Sequence, residues 1–528
     1  MSMHPLVSRR VLLRQAFGAT LVLPAVGVLA ACGAGVTPSV AGTTTASTPA
    51  TTAVTSSATL AAASSATSTV AATTSVASTA AVTSAAATVT VAKVTATTGA
   101  LSAADAPAAG PKVVLHYEPW AIDQPTHGGP VGYQHLQKAF NQASPNGYKV
   151  NTVTPPGKFY EALQIAVVAG TSPDTFQEDL GPVAIYAGQK VSEALDSYIA
   201  RDKFDLTQLY PFSVQMMKWD GKVYAMMQHT DIVLLWYNAD LMRELGMDAG
   251  TPPKTWNDME ALAQKGVLRT GNLLTRMGYD SNSWPVCWIQ ANGGKILSDD
   301  GRKALFDSPQ AVETVEWMRK IYNQVDGGKA SVDQFGKDAS GKTAGGQSEG
   351  PFENGKVVAY NNGNWEADAM RRAQNQFKFT VAPLPSGPSG PADSANNVYM
   401  GGIFCALSAS SNRKDGGWEY LKFIGNKPGG VAIETGTADV SGNIEASKDP
   451  TVLNDPDTGF GRKETQPLFT QVSGTRDVIG PVSGDIQYKY LGSAVADALQ
   501  NKTDTTTALK QAVQLANAAL DKYYSTVK

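Results

Sequence analysis

Apolar and polar residues are distributed along this chain in three regimes. Near the N-terminus, Ser8-Arg9-Arg10-Val11-Leu12-Leu13-Arg14 precedes an apolar run from about Ala16 to Ala30. Positive charge ahead of a short apolar run is the pattern of a secretory signal. About fifteen apolar residues, interrupted by Pro24 and Gly27, are too few to predict a spanning helix. From Val36 to about Ala109 the chain is almost entirely Ala, Thr, Ser and Val, with no aromatic residue. Such a stretch has nothing large to bury and cannot offset its own ordering entropy, so a disordered tether is expected. As a coil of roughly 75 residues it would reach on the order of 50 Å.

From Lys112 onward the pattern becomes globular. Val113-Val114-Leu115 and Lys149-Val150-Asn151-Thr152-Val153 have the length and β-branched content of strands. Tyr133–Phe140 and Tyr160–Val168 space their apolar residues for helices, and Leu509, Val513, Ala516 and Leu520 set a terminal amphipathic helix over Thr505–Tyr524. Strands alternating with helices predict α/β layers around a mostly parallel sheet.

Composition narrows the partners. A chain of 528 residues with 42% hydrophobic content can build two lobes. A net charge of −3 leaves no basic surplus to displace counterions from phosphates, which argues against nucleic acid. Beyond Cys32, only Cys287 and Cys405 remain, and their separation leaves a disulfide open. No His-Glu-x-x-His, paired-cysteine or EF-hand spacing occurs, so neither a metal nor a cofactor is expected.

Two motifs fail on context. Gly336-Lys337-Asp338-Ala339-Ser340-Gly341-Lys342-Thr343 has P-loop spacing, but Gly345, Gly346, Gly350 and Pro351 follow where a phosphate-binding helix would have to start. A surface loop is expected there instead. Ser411-Asn412-Arg413-Lys414 fits a Ser-x-x-Lys nucleophile, yet no Lys-Thr-Gly partner lies downstream.

Leu29-Ala30-Ala31-Cys32-Gly33 resembles a bacterial lipobox, and the paired arginines resemble a twin-arginine signal with Leu12 where Phe is usual. The resemblance implies cleavage after residue 31, a lipid on Cys32, a tether over 32–110 and a globular domain over 111–528. The globular domain in turn resembles bacterial extracellular solute-binding proteins of the maltodextrin-binding type. The carrying segments are Ala169-Gly170-Thr171-Ser172-Pro173-Asp174-Thr175-Phe176, Asp220-Gly221-Lys222-Val223-Tyr224, Trp236-Tyr237-Asn238-Ala239-Asp240 and Pro253-Lys254-Thr255-Trp256. They continue with Phe352-Glu353-Asn354-Gly355-Lys356, Gly363-Asn364-Trp365, Val381-Ala382-Pro383-Leu384-Pro385, Gly401-Gly402 and Trp418-Glu419-Tyr420-Leu421-Lys422-Phe423. Each is weak alone, but together they keep the family's order across most of residues 112–528. Met227 stands where the family usually has proline.

The resemblance implies a two-lobed α/β periplasmic-binding-protein-like fold, crossed several times by the chain, with a hinged cleft that holds a solute. It implies a monomeric, non-enzymatic partner of an ABC permease with a separate ATPase, held to the outer face of the membrane only by its lipid. Sugar sites need aromatic platforms and polar groups that bind hydroxyls. On the resemblance, Asp231 stands at a ligand-binding carboxylate position, Trp365 at a stacking tryptophan, and Tyr488 where another aromatic platform is expected. Glu118, Trp120 and Glu178 follow first-lobe strands, while Trp284 and Trp288 precede Gly293-Gly294 and are candidates to line the far lobe. Trp236, Trp256 and Trp418 are assigned to the core. A carbohydrate is the expected solute. The alternatives are a cationic solute such as a polyamine, met by Glu118, Glu178 and Asp231, or a secreted glycosidase using two of these carboxylates.

Overall fold

The computed structural model describes residues 110–119, 128–281, 284–342, 348–373, 377–392, 398–455, 465, 468 and 484–526. The expected export signal, the expected lipidation site Cys32, nearly all of the expected tether, and Trp120 lie outside them.

Ten strands form the main sheet among the described residues: β1 (Val113–Tyr117), β2 (Lys149–Val153), β3 (Thr175–Asp179), β4 (Ala225–Asn238), β5 (Leu268–Thr270), β6 (Leu273–Tyr279), β7 (Val357–Gly363), β8 (Phe379–Ala382), β9 (Tyr399–Leu407) and β10 (Val440–Ser441). Their order is β2-β1-β3-β9-β4-β7-β6-β5, with β8 and β10 also paired to β4. The expected strands at 113–115 and 149–153 are present, and helices Gly128–Ala143, Phe159–Val168 and Thr505–Thr526 cover the expected helical stretches. The sheet itself corrects the expectation of mostly parallel pairing. Only β1/β2, β1/β3 and β7/β6 run parallel, while β4 pairs antiparallel with β7, β8, β9 and β10. A chain that passes between lobes and returns must reverse direction, and the antiparallel pairs are those returns.

β4 is the spine of the molecule. All fourteen residues of Ala225–Asn238 are buried. The first half, Ala225–Thr230, pairs with β9 of the first lobe, and only its last two residues, His229 and Thr230, also pair with β10; the second half, Val233–Tyr237, pairs with β7 of the second lobe. Burial on both faces explains the unbroken apolar run Ile232-Val233-Leu234-Leu235-Trp236-Tyr237. The polar interruption Gln228-His229-Thr230-Asp231 falls at the junction of the lobes. Gln228 is the extra residue of a β-bulge, since Met227 pairs with Phe404 while His229 pairs with Ile403. The Met227 amide donates to the Met217 thioether at 3.1 Å. Met227, where the sequence departs from the expected proline, is part of the buried strand.

Two family motifs have structural roles. Asp174, of the Gly-Thr-x-Pro-Asp turn, accepts the Leu115 amide at 2.9 Å and the Ser411 hydroxyl at 2.6 Å, joining β1 to the turn before helix Lys414–Gly425. Ser411 is therefore a structural donor rather than a nucleophile. Thr255 caps helix Trp256–Gly266 in a reciprocal box with Asp258, which is why Pro-x-Thr-Trp begins a helix. The segment with P-loop spacing differs from expectation. Gly336 is buried inside helix Gly328–Ala339, so a helix precedes Gly341 where a phosphate loop needs a strand. Cys287 and Cys405 are both buried, and neither is part of a disulfide. No described helix is long and apolar enough to cross a membrane.

Candidate functional site

The crossing of β4 brings together residues distant in sequence. Asp231 pairs with Gly401 of β9 and is 1% exposed. One residue further, the Ile232 amide donates to the Asn364 side-chain oxygen at 2.9 Å, and the Asn364 amide donates to the Ile232 carbonyl at 3.0 Å. This exchange places Trp365 beside the crossing. Gly363, which pairs with Val233, must remain a glycine, because a Cβ there would stand 2.0 Å from the Trp365 ring. The Asn364 side-chain nitrogen Nδ2 donates to the Ala438 carbonyl at 3.3 Å and to Asp439 Oδ1 at 3.4 Å, bringing a third segment into the knot.

Three aromatic rings gather there. The Trp284 ring lies 6.0 Å from both Trp365 and Tyr399, centroid to centroid. Trp284 and Trp365 stay partly exposed, while Tyr399 is buried and takes a hydrogen bond from the Gln487 amide, the residue before Tyr488. Trp284 adopts a φ of 49°, a left-handed conformation that a bulky residue holds only when its surroundings impose it. Here Pro285 begins the helix Pro285–Ala291 immediately after it. Tyr488 is half-buried in the π-helical turn Asp485–Leu491.

Polar groups line the first-lobe side. His229 Nε2 lies 3.5 Å from Asp439 Oδ2, and the His229 ring stacks on Tyr133 with centroids 6.1 Å apart. Thr437 donates its hydroxyl to Asp439 at 2.9 Å. One ligand atom each from His229, Asp231 and Asp439 lies within 4.8 Å of the others, a spacing that could hold a cation. Below them, the Gln177 side-chain amide donates to the Tyr133 hydroxyl at 3.2 Å and to the Gln228 side-chain oxygen at 3.0 Å, all buried.

The remaining candidates divide. Glu118 and Glu178 end first-lobe strands, as expected, but both are buried inside that lobe. Glu118 lies 3.5 Å from His116 Nε2, and burial followed by the charges of Glu118 and Glu178 pushes the Cys405 thiol up. Trp288 is wholly buried in an aromatic stack, 4.8 Å from Trp317 and 5.7 Å from Tyr279, with its indole nitrogen donating to Asn361 at 3.2 Å. It builds the second-lobe core. Trp236, Trp256 and Trp418 are core residues as expected.

Sequence reasoning missed Tyr399, Asn364, Asp439 and Gln487. Asn364 carried a signal, because a polar residue between Gly363 and Trp365 directly after an apolar strand needs hydrogen-bond partners if it is buried. Asp439 carried none, being 208 residues from Asp231 and brought to it by tertiary contacts such as the pairing of β10 with β4.

The described sheet thus carries antiparallel crossings between two lobes. The family model for bacterial extracellular solute-binding proteins matches residues 124–431. The chain belongs to this family. Among curated relatives it is 24% identical over 306 residues to the maltotriose-binding protein of Pyrococcus abyssi, covering 57% of this chain and 62% of that one. It is 24% identical over 413 residues to the arabinooligosaccharide-binding protein of Bacillus subtilis, covering 75% and 88%. The match spans about half of another relative, a probable ABC transporter-binding protein of Deinococcus radiodurans, at 50% of its length. Solved structures share the fold. An ABC substrate-binding protein of Listeria monocytogenes in complex with cycloalternan superposes with a TM-score of 0.62 at 20% identity, covering 78% of this chain and 99% of that one. A mannotriose-bound protein, CpMnBP1, gives a TM-score of 0.63 at 21% identity, covering 77% and 99%. Members of the family bind solutes rather than transform them.

Proposed function

We propose that this chain is the substrate-binding lipoprotein of an ABC importer and captures a mono- or oligosaccharide between its lobes. The observation that carries the reading is the placement of two partly exposed indoles, Trp284 and Trp365, beside the Asp231 crossing. Indole faces stack on the weakly apolar faces of sugar rings, while carboxylates and amides take up the hydroxyls. Asp231, His229 and Asp439 supply such groups on the first-lobe side, and Tyr488, next in sequence to Gln487, which is bonded to Tyr399, is a further aromatic candidate. Relatives named for maltotriose and arabinooligosaccharide binding support a carbohydrate over other solutes.

In this reading the protein performs no chemistry and works as a monomer with a permease and its ATPase. A lipid on Cys32 holds it to the outer face of the membrane, and the tether over 32–110 gives it reach and a high effective concentration at the permease. The test is calorimetric titration and thermal shift of the full chain against oligosaccharides and polyamines. Saccharides should raise the melting temperature and amines should not. Stabilisation by amines alone would instead favour a cationic solute, for which the buried pair Asp231 and Asp439 offers charge. Turnover of a saccharide would establish an enzyme. Mass spectrometry of the exported protein should find acylated Cys32 at the new N-terminus.

A further inference from the structure

The C-terminal helix Thr505–Thr526 belongs to the second lobe, where it packs against helices Pro309–Lys320 and Gly492–Leu499. Its last turn nevertheless touches the first lobe. The Tyr523 hydroxyl donates to the Ala184 carbonyl at 2.8 Å, and Ala184 lies in helix Leu180–Gly188, packed on β3 and β9. The neighbouring Tyr524 ring stacks on Trp219, with centroids 6.4 Å apart and planes inclined by 26°. Trp219 belongs to the two-residue strand Lys218–Trp219, also packed on helix Leu180–Gly188. From the second lobe, the Arg302 guanidinium lies 4.1 Å from the Tyr524 ring centroid, and the Tyr524 hydroxyl donates to the Gly301 carbonyl at 3.4 Å.

We propose that Tyr523 and Tyr524 form an interlobe clasp, so that the lobes part only when the Tyr523–Ala184 hydrogen bond and the Trp219–Tyr524 stack are broken. The geometry is suited to the role. Tyr524 is held by its own lobe through Arg302 and Gly301, so the stack with Trp219 is the contact that yields on opening. Tyr523 and Tyr524 meet edge to face, 5.2 Å between centroids, so the two contacts are coupled through adjacent rings. A cation over one face of the Tyr524 ring is attracted by its π-electrons and orders the ring for the indole. Burial, then the neighbouring Tyr524, pushes the Tyr523 phenol up to about 12, so it stays a donor at any physiological pH. The clasp lies outside the Asp231–Trp365 group and does not depend on which solute is bound. It sets how readily the lobes open, which is a population rather than a contact with ligand.

The test is a distance measurement between the lobes of the full chain without solute. Nitroxides are carried on non-canonical ketone side chains placed at Val168 and Ala330, both exposed, which leaves the native cysteines untouched. Pulsed electron resonance should find one dominant separation in the otherwise unaltered protein. Combining Tyr523→Phe with Trp219→Ala should raise the population at longer separation roughly tenfold, the combined weight of one hydrogen bond and one stacked ring. Trp219→Phe, which keeps an aromatic face, should restore most of the original distribution. Superimposable distributions for the double variant and the parent would overturn the proposal, as would equal opening by Trp219→Phe and Trp219→Ala. If the double variant loses its native circular dichroism, Tyr523→Phe alone, which removes a single oxygen, decides by the same readout.

Discussion

Asn364 and Ile232 exchange two hydrogen bonds where the chain passes from one lobe to the other: the Ile232 amide donates to the Asn364 side-chain oxygen at 2.9 Å, and the Asn364 backbone amide donates to the Ile232 carbonyl at 3.0 Å. The exchange continues the β4–β7 ladder one step past its last pair, and the same side chain reaches the 438–439 segment. Asn364 is wholly buried, so its removal strands the Ile232 amide away from water. Asn364→Ala is expected to cost about 1–3 kcal/mol of stability. It should also weaken solute binding, because Trp365 loses its anchor. Urea unfolding and calorimetry on the same variant would read both effects.

Two tryptophans that look alike in the sequence should respond oppositely to truncation. Trp288→Ala opens a hole among Trp256, Trp317 and Tyr279 and is expected to cost about 3–5 kcal/mol of stability. Trp365→Ala removes a partly exposed ring, so stability should change little while the dissociation constant for the bound saccharide rises roughly 30-fold, about 2 kcal/mol. Gly363→Ala should mimic the binding loss while keeping the indole, since its Cβ would push the ring out of place. Melting curves with and without saccharide separate the effects.

His116 gives the first lobe an acid-sensitive limb. Burial drives its imidazole down to about 3, against a value near 6.5 in the unfolded chain. The unfolded state therefore binds the extra proton first, and this contribution to stability is complete above about pH 6.5 and is lost as pH falls toward 3. The slope is at most about 1.4 kcal/mol per pH unit. His116→Gln, which can keep a hydrogen bond to Thr175, should flatten the stability profile between pH 6 and 4. Denaturant titrations at pH 7.5, 6 and 4.5 would check it.

Asp326 works in the opposite sense. It is fully buried, no described group donates a hydrogen bond to its carboxylate, and burial followed by the Asp280 charge pushes its pKa well up, with Arg269 opposing. The folded state favours the protonated acid, so the stabilising contribution is complete below the unfolded aspartate value and is lost as pH rises through the folded one. Asp326→Asn should match the parent near pH 4 and exceed it by about 1–3 kcal/mol at pH 8. An equal difference at both pH values would rule out the titration of Asp326 as the cause.

Much of the fold was legible because it rests on local rules. The β-branched runs at 113–117 and 149–153, the capped start at Thr255-Trp256 and the amphipathic terminal helix each bury one recognisable face. The direction of sheet pairing was not legible. Alternating strands and helices suggested parallel neighbours, but β4 and β9 are partners across more than 150 residues, and no local pattern records which strand returns beside which.

The candidate site divides along the same line. The sequence by itself determined which residue types were available: the indole at 365 after a Gly-Asn turn, the carboxylate at 231 inside an apolar strand, and the order of motifs that marks the family. Tertiary structure decided which of them meet. Trp284, Trp365 and Tyr399 converge, Asp231 acquires His229 and Asp439 as neighbours, and Trp288 and Glu118 turn inward. The reason is physical. Which way a side chain faces in a strand buried on both sides is fixed by pairing register, and register is set by distant segments.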